Sequence, residues 1–174
     1  MLDRTPQTPS REINKPRLGN RPRHGAAMVE VGFALLPFLA ISMAIIDFSI
    51  PIFLRTTLTH AVREGTRYGL TFQTRPGETH IQSVQDVVME QSMGFLAGSP
   101  GRDKVHVRFY SPTTFVEQTG PDRNAGGNVL EVSVEGFTWQ YMVPLWRSTD
   151  PIVIHATSSD RLELLPRGVV RPAP

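Results

Sequence analysis

Two carboxylates stand in or at the edge of the most apolar stretch of the chain, and their placement is the first feature able to carry chemistry. Between Glu30 and Arg55 lie 24 residues with a single charge, Asp47, and the uncharged run from Val31 to Ile46 has Ser42 as its one clearly polar member. A membrane span needs about 20 apolar residues, so this run qualifies. A carboxylate at the centre of a spanning helix costs about 2.5–3.5 kcal/mol, and a cationic partner in low dielectric offsets that cost. Glu30 and Asp47 are 17 residues apart, roughly 25 Å of helix against a hydrocarbon thickness of about 30 Å, so both can sit near opposite interfaces. Glu30 is thus either half of an ion pair or a marker of the membrane boundary.

Elsewhere the search for chemistry returns little. The five histidines (His24, His60, His80, His106, His155) have no zinc-ligand spacing, and there is no glycine-rich phosphate loop or nucleophile elbow. The absence of cysteine excludes a thiolate metal site, a cysteine nucleophile and a disulfide. Asp122-x-Asn124-x-Gly126-x-Asn128 offers less acidic oxygen than a calcium loop needs and reads as a polar turn. No acid–base or nucleophile constellation is visible, so the reading is a non-enzyme without cofactor or metal. Arg63-Glu64-Gly65-x-Arg67-Tyr68 reads as a charged helix face, and Gly65 and Gly69, four apart, permit close packing against another backbone.

The elements that must position these residues follow from patterning. The chain has 174 residues, 40% apolar and 20% charged, with net charge +2. That is room for one modest domain with appendages. Residues 1–25 carry six basic side chains (Arg4, Arg11, Lys15, Arg17, Arg21, Arg23) and two acidic ones, Asp3 and Glu12, a net +4 that leaves the remainder near −2. With Pro6, Pro9, Pro16 and Pro22 and little to bury, this stretch reads as a disordered basic leader. A nucleic-acid binder would carry its positive field on a folded face, so the pI of 9.4 does not imply nucleic acid.

Residues 26–54 form the spanning helix, in which Pro37 and Pro51 predict a kink or bend. Helical period then continues through Leu58, Ala61, Val62, Gly65, Gly69 and Phe72, until Arg75-Pro76-Gly77 breaks it. A second helix opens with Thr79 and Gln82 at capping-box spacing, places Ile81, Val84, Val88 and Phe95 on one side, and is expected to end around Gly98–Gly101. Beyond Pro100 the period becomes two. Val105, Val107 and Phe109, then Leu130, Val132 and Val134, then Ile152, Ile154 and Ala156 alternate with other side chains and predict three strands. The fold class expected is α+β, a small antiparallel sheet of about three strands backed by helices. Ser111–Gly127 is a long loop, and Phe137, Trp139, Tyr141 and Trp146 cluster near the second strand, where core or hairpin packing is the favoured role. Residues 55–165 make the domain and 166–174 a frayed tail.

The positive-inside rule places the leader in the cytoplasm and the domain on the far side of the membrane. A secretory signal peptide cut after Ser42-Met43-Ala44 is the first competitor, but the apolar run continues through Ile45, Ile46, Ile50, Ile52 and Phe53.

The junction Arg23-His24-Gly25-Ala26-Ala27-Met28-Val29-Glu30 resembles the processing site of type IV prepilins, in which a membrane aspartyl peptidase cuts after the glycine and the glutamate neutralises the N-terminal amine of a neighbouring subunit. The stretch Arg23–Tyr68, with Gly25, Ala26, Ala27, Val29, Glu30, Pro37, Asp47, Ala61, Arg63, Glu64, Gly65, Arg67 and Tyr68 in place, is similar to the TadE-like pseudopilins of tight-adherence (Flp) pilus systems. Val31-Gly32-Phe33 departs from the Phe-Ala usual after the glutamate. The resemblance implies a pilin-like fold, cleavage between Gly25 and Ala26, helix assembly through Glu30 and Asp47, and subunit contact at Arg63, Glu64, Gly65, Arg67 and Tyr68. It further implies prepilin peptidase, other pilin-like subunits and membrane lipid as partners, in the bacterial inner membrane. The competing class is a single-pass envelope sensor or binding protein with a permanent anchor.

Overall fold

A computed structural model describes residues 24–142, 150–165 and 170–174, and the chain divides into two compact units, residues 1–39 and 40–174. One helix, α1 (His24–Leu70), runs through both, unbroken at Pro37 and Pro51. Among the described residues it is the one helix long and apolar enough to cross a membrane.

In the first unit the described residues all belong to α1. Met28, Val29, Phe33, Leu36 and Phe38 are all exposed, so the apolar surface runs around the helix instead of along one stripe. Such a surface has its natural solvent in a bilayer, where the helix satisfies its own backbone groups.

In the second unit α1 becomes the backing of a small α+β domain. Its hydroxyls bond back to the helix: Ser49, Thr56, Thr59 and Thr66 each donate to the carbonyl four residues earlier. Leu54, Leu58, Ala61 and Val62 are buried, as the stripe required. Helix α2 (His80–Gln91) starts in the expected capping box, in which the Thr79 hydroxyl accepts from the Gln82 amide and the Gln82 side chain accepts from the Thr79 amide. Because Gly65 lies against Val84 and Val88 and Gly69 against Val84 and His80, α2 runs back antiparallel to α1.

Helix α2 is shorter than its pattern suggested. It stops at Gln91, and Met93 and Gly94 take the left-handed backbone with φ of 55° and 86°. The buried Ser92 hydroxyl donates to the Met89 carbonyl and accepts from the Leu96 amide, which turns the chain. A separate single turn, α3 (Ser99–Arg102), follows with Pro100 at its start.

Strands β1 (Val105–Tyr110), β2 (Val129–Trp139) and β3 (Ile152–Arg161) form an antiparallel sheet in that order. Val105, Phe109, Leu130, Val132, Val134, Ile154 and Ala156 face the helices and are buried. Between Val134 and Phe137 the register shifts by one residue, and Gly136 at the shift has φ 67°. Without this bulge the alternation would carry Phe137 and Trp139 to the outer face; with it they pair with Ile154 and Ile152 and pack on the core. Trp146 lies outside the described residues. The sheet runs alongside α1, since the Thr66 hydroxyl lies 3.4 Å from the Ser158 carbonyl while Pro51 and Ile52 line a cavity with Ile152 and Val153.

Residues 170–174 make specific contacts. Arg171 pairs with Asp122, the Pro172 carbonyl accepts from the Asn124 side chain at 3.0 Å, and the Ala173 carbonyl accepts from the His80 amide at 2.9 Å. The last residues therefore satisfy the side-chain N–H of buried Asn124 and the first amide of α2, a polar requirement that composition does not reveal.

His80 is fully buried between Phe72 and Phe109, with ring centroids at 5.6 and 6.1 Å, and its Nε2 lies 2.9 Å from the Gly69 carbonyl. A carbonyl only accepts, so Nε2 carries the proton and Nδ1, which is buried with no hydrogen-bond partner among the described residues, stays bare. Burial lowers the pKa of this imidazole below its ordinary value, against the opposing pull of the Gly69 carbonyl. The unfolded chain therefore binds a proton more readily, and stability, complete above the ordinary histidine range of about 6.5, falls as pH drops through it, by at most about 1.4 kcal/mol per pH unit. Urea titration of the detergent-solubilised protein should show this loss between roughly pH 7 and pH 5, above the carboxylate range, and His80→Gln should flatten it. An unchanged slope in His80→Gln would place the sensitive group elsewhere.

Candidate functional site

The residues singled out by spacing separate into three groups. At the start of α1, Gly25 is exposed with nothing within 4 Å of a Cβ built on it, and Glu30 is exposed on the helix. The side chain of Ala26 is outside the description. A peptidase and a helical partner both need this openness, because each must reach the backbone or carboxylate directly.

Asp47 is different. It is 2% exposed, and its carboxylate accepts the Met142 backbone N–H at 2.9 Å. Beside it Tyr141 meets Phe48 edge-on, with ring centroids at 5.9 Å. The chain leaving β2 thus folds onto α1 at the level of Asp47 and supplies a donor to a carboxylate that stands at the end of the apolar run. No sequence signal links residues 95 positions apart.

The segment Arg63–Tyr68 faces two ways. Gly65 points inward: a Cβ there would collide with the Val88 side chain and lie 3.5 Å from the Val84 carbonyl. The backbone that Gly65 admits within its own chain is that of α2. Arg63 and Arg67 are exposed, and Glu64 and Tyr68 half-buried. Glu64, Arg67 and Tyr68 line one open groove of about 320 Å³ with Gln73 and Gln91. Arg63 lines another, of about 530 Å³, with Arg55 and His60.

The outer face of the sheet holds a cluster of ion pairs. Arg108 reaches Glu135 at 2.7 Å and Glu131 at 3.6 Å. The Arg108 guanidinium, and then the Ser133 hydroxyl, hold the Glu135 carboxyl below its ordinary range. These charges satisfy one another and line none of the three grooves described. In the Asp122–Asn128 turn, Asp122 is taken by Arg171 and the Asn124 and Asn128 side chains donate to the carbonyls of Pro172 and Arg123. The turn is thus docked through its amide N–H groups and the Asp122 carboxylate. Among the described residues no group of three or more histidine, aspartate or glutamate side chains converges on one point.

Fold and site together define a class: an α+β, pilin-like protein whose long apolar helix fits a single-pass membrane anchor. Residues 25–67 match the model of the TadE-like protein family, the family that the same residues resemble, and this segment is TadE-like. That likeness, over 43 of the 174 residues, points to tight-adherence pilus systems and their components. Comparison with curated proteins and with solved structures gave no match.

Proposed function

We propose that the protein is a minor pseudopilin of a tight-adherence pilus. Its basic leader is removed after Gly25 by prepilin peptidase on the cytoplasmic side of the inner membrane. The mature helix, beginning at Ala26, packs laterally against other pilin-like helices, with Glu30 opposite a neighbour's N-terminal amine, and the assembly starts or anchors the fibre. The extracytoplasmic domain presents Arg63, Glu64, Arg67 and Tyr68 to neighbouring subunits, while Gly65 holds α2 in place beneath them.

The observation that carries this reading is where the TadE-like segment begins: at Gly25, the residue at which the basic leader ends and the apolar helix starts. The leader's net +4 supports a cytoplasmic N-terminus. Processing of this kind suits a helix that must associate within the bilayer, because it creates a cationic amine at the edge of the hydrocarbon, where a carboxylate on a neighbouring helix can pair with it.

Mass spectrometry of the membrane fraction tests it. The mature chain should begin at Ala26. Gly25→Ala or a bulkier residue should block removal while membrane insertion persists, since a Cβ at Gly25 touches nothing and the apolar run is unchanged. A wild-type chain that keeps Met1 would overturn the proposal and leave a permanently anchored sensor or binding protein. A chain beginning at Ile45 would mean signal-peptidase cleavage.

A further inference from the structure

The folded unit carries large apolar side chains that its core does not use, and many of them gather at one level of α1. Ile52 is 67% exposed and Phe53 51%; from the turn after α2 come Met93 at 71% and Phe95 at 39%, from the chain after β2 Met142 at 67%, and from the start of β3 Val153 at 50%. Four separate segments place them together. The Phe53 and Phe95 rings meet at 6.2 Å, and Met93 lines a shallow cavity of about 370 Å³ with Phe53. Val153 lines another, of about 420 Å³, with Pro51 and Ile52. Met142 is tied to Asp47 by its amide. The result is an apolar collar around α1 from Asp47 to the level of Thr57, with Arg55 at its edge and with His60 and Arg63 around an open groove beyond it.

Met93 sharpens the point. Its backbone is left-handed, which disfavours a side chain with a Cβ, and its side chain gains no core contact in return. Folding alone would be better served by glycine or asparagine there.

We propose that this collar is seated in the headgroup and upper acyl region of the leaflet that α1 leaves, so that the domain rests on the phospholipid surface. The helix supplies the argument for lipid over protein. The collar continues the apolar run directly, and from Asp47 to Phe53 is six residues, roughly 9 Å of helix, enough to cross the roughly 5–8 Å polar zone on one side of a bilayer. Arg55 then lies at the outer edge of the headgroups, its stem along apolar surface and its charge toward lipid phosphate. The proposal rests on the single-pass reading of α1 and is independent of any role in a pilus.

The chain has no cysteine, so single-cysteine variants of the full-length protein can be labelled cleanly. Met93→Cys, Met142→Cys and Val153→Cys would each carry an environment-sensitive fluorophore, with the protein held as one copy per nanodisc of phosphatidylethanolamine and phosphatidylglycerol. Leu36→Cys, within the apolar run, and Leu164→Cys, 79% exposed beyond the opposite end of the sheet, are the references. Spin-labelled lipids should quench the three collar positions several-fold more than position 164, and shallow labels more than deep ones. Collar positions quenched no more than position 164, with position 36 strongly quenched, would overturn the proposal while leaving the membrane anchor intact, and would mean that protein or water covers the collar. Failure of quenching at position 36 would remove the anchor and the proposal together.

Discussion

Gly65→Leu is expected to unfold or severely loosen the α+β domain. A Cβ at this position already collides with the Val88 side chain, with the Val84 carbonyl 3.5 Å and the Val84 Cγ1 3.7 Å away. Alanine gains up to about 1 kcal/mol of helix propensity and loses about 1–3 kcal/mol to overpacking, so Gly65→Ala should be mildly destabilising. Leucine adds three further carbons to a seam in which Val84 and Val88 are fully buried. The helices must then separate, at a cost of more than about 3 kcal/mol against a total of about 5–15 kcal/mol for an ordinary domain. Thermal unfolding followed by near-ultraviolet dichroism in detergent would measure it. Gly32→Leu is the control, because nothing lies within 4 Å of that position and a larger apolar residue there should leave the domain's transition unchanged. If Gly65→Leu melts with the wild type, the glycine is not a packing residue of the monomer, and a role at a subunit interface returns.

Glu30→Gln should lower association with other pilin-like subunits by two or more powers of ten. The change keeps size and most hydrogen bonding but removes the charge that would compensate a neighbour's amine. Truncating one member of a desolvated charge pair costs about 3–5 kcal/mol, which converts to that loss of affinity. A boundary carboxylate in contact with water would lose about 1 kcal/mol or less. Crosslinking and co-purification would distinguish the two, provided that leader removal and membrane level match the wild type. Association at the wild-type level in a correctly processed Glu30→Gln chain would defeat the charge-pair mechanism and leave Glu30 as an interface marker. Gly65→Leu acts on the folded unit and Glu30→Gln on the helix that precedes it, so the two variants report separate parts of the proposed mechanism.

What the sequence determined by itself is everything whose cause lies within a few neighbouring residues. The length of the apolar run specified a helix able to span a bilayer, the period of Leu58, Ala61, Val62, Gly65 and Gly69 specified its buried stripe, and Thr79 with Gln82 marked the start of α2. Alternation located all three strands, and the spacing around Gly25, Glu30 and Arg63–Tyr68 was enough to place the family segment. The tertiary structure decided what each surface meets. It assigned Gly65 to α2, joined Asp47 to Met142, used Gly136 to turn Phe137 and Trp139 inward, ended α2 at Gln91 where Ser92 finds Leu96, and docked the C-terminal residues on His80 and Asn124. Periodicity and capping are local and therefore legible in order along the chain. A buried donor or a tight approach is satisfied by whichever distant segment the fold brings to it, and that choice exists only once the helices and the sheet have packed.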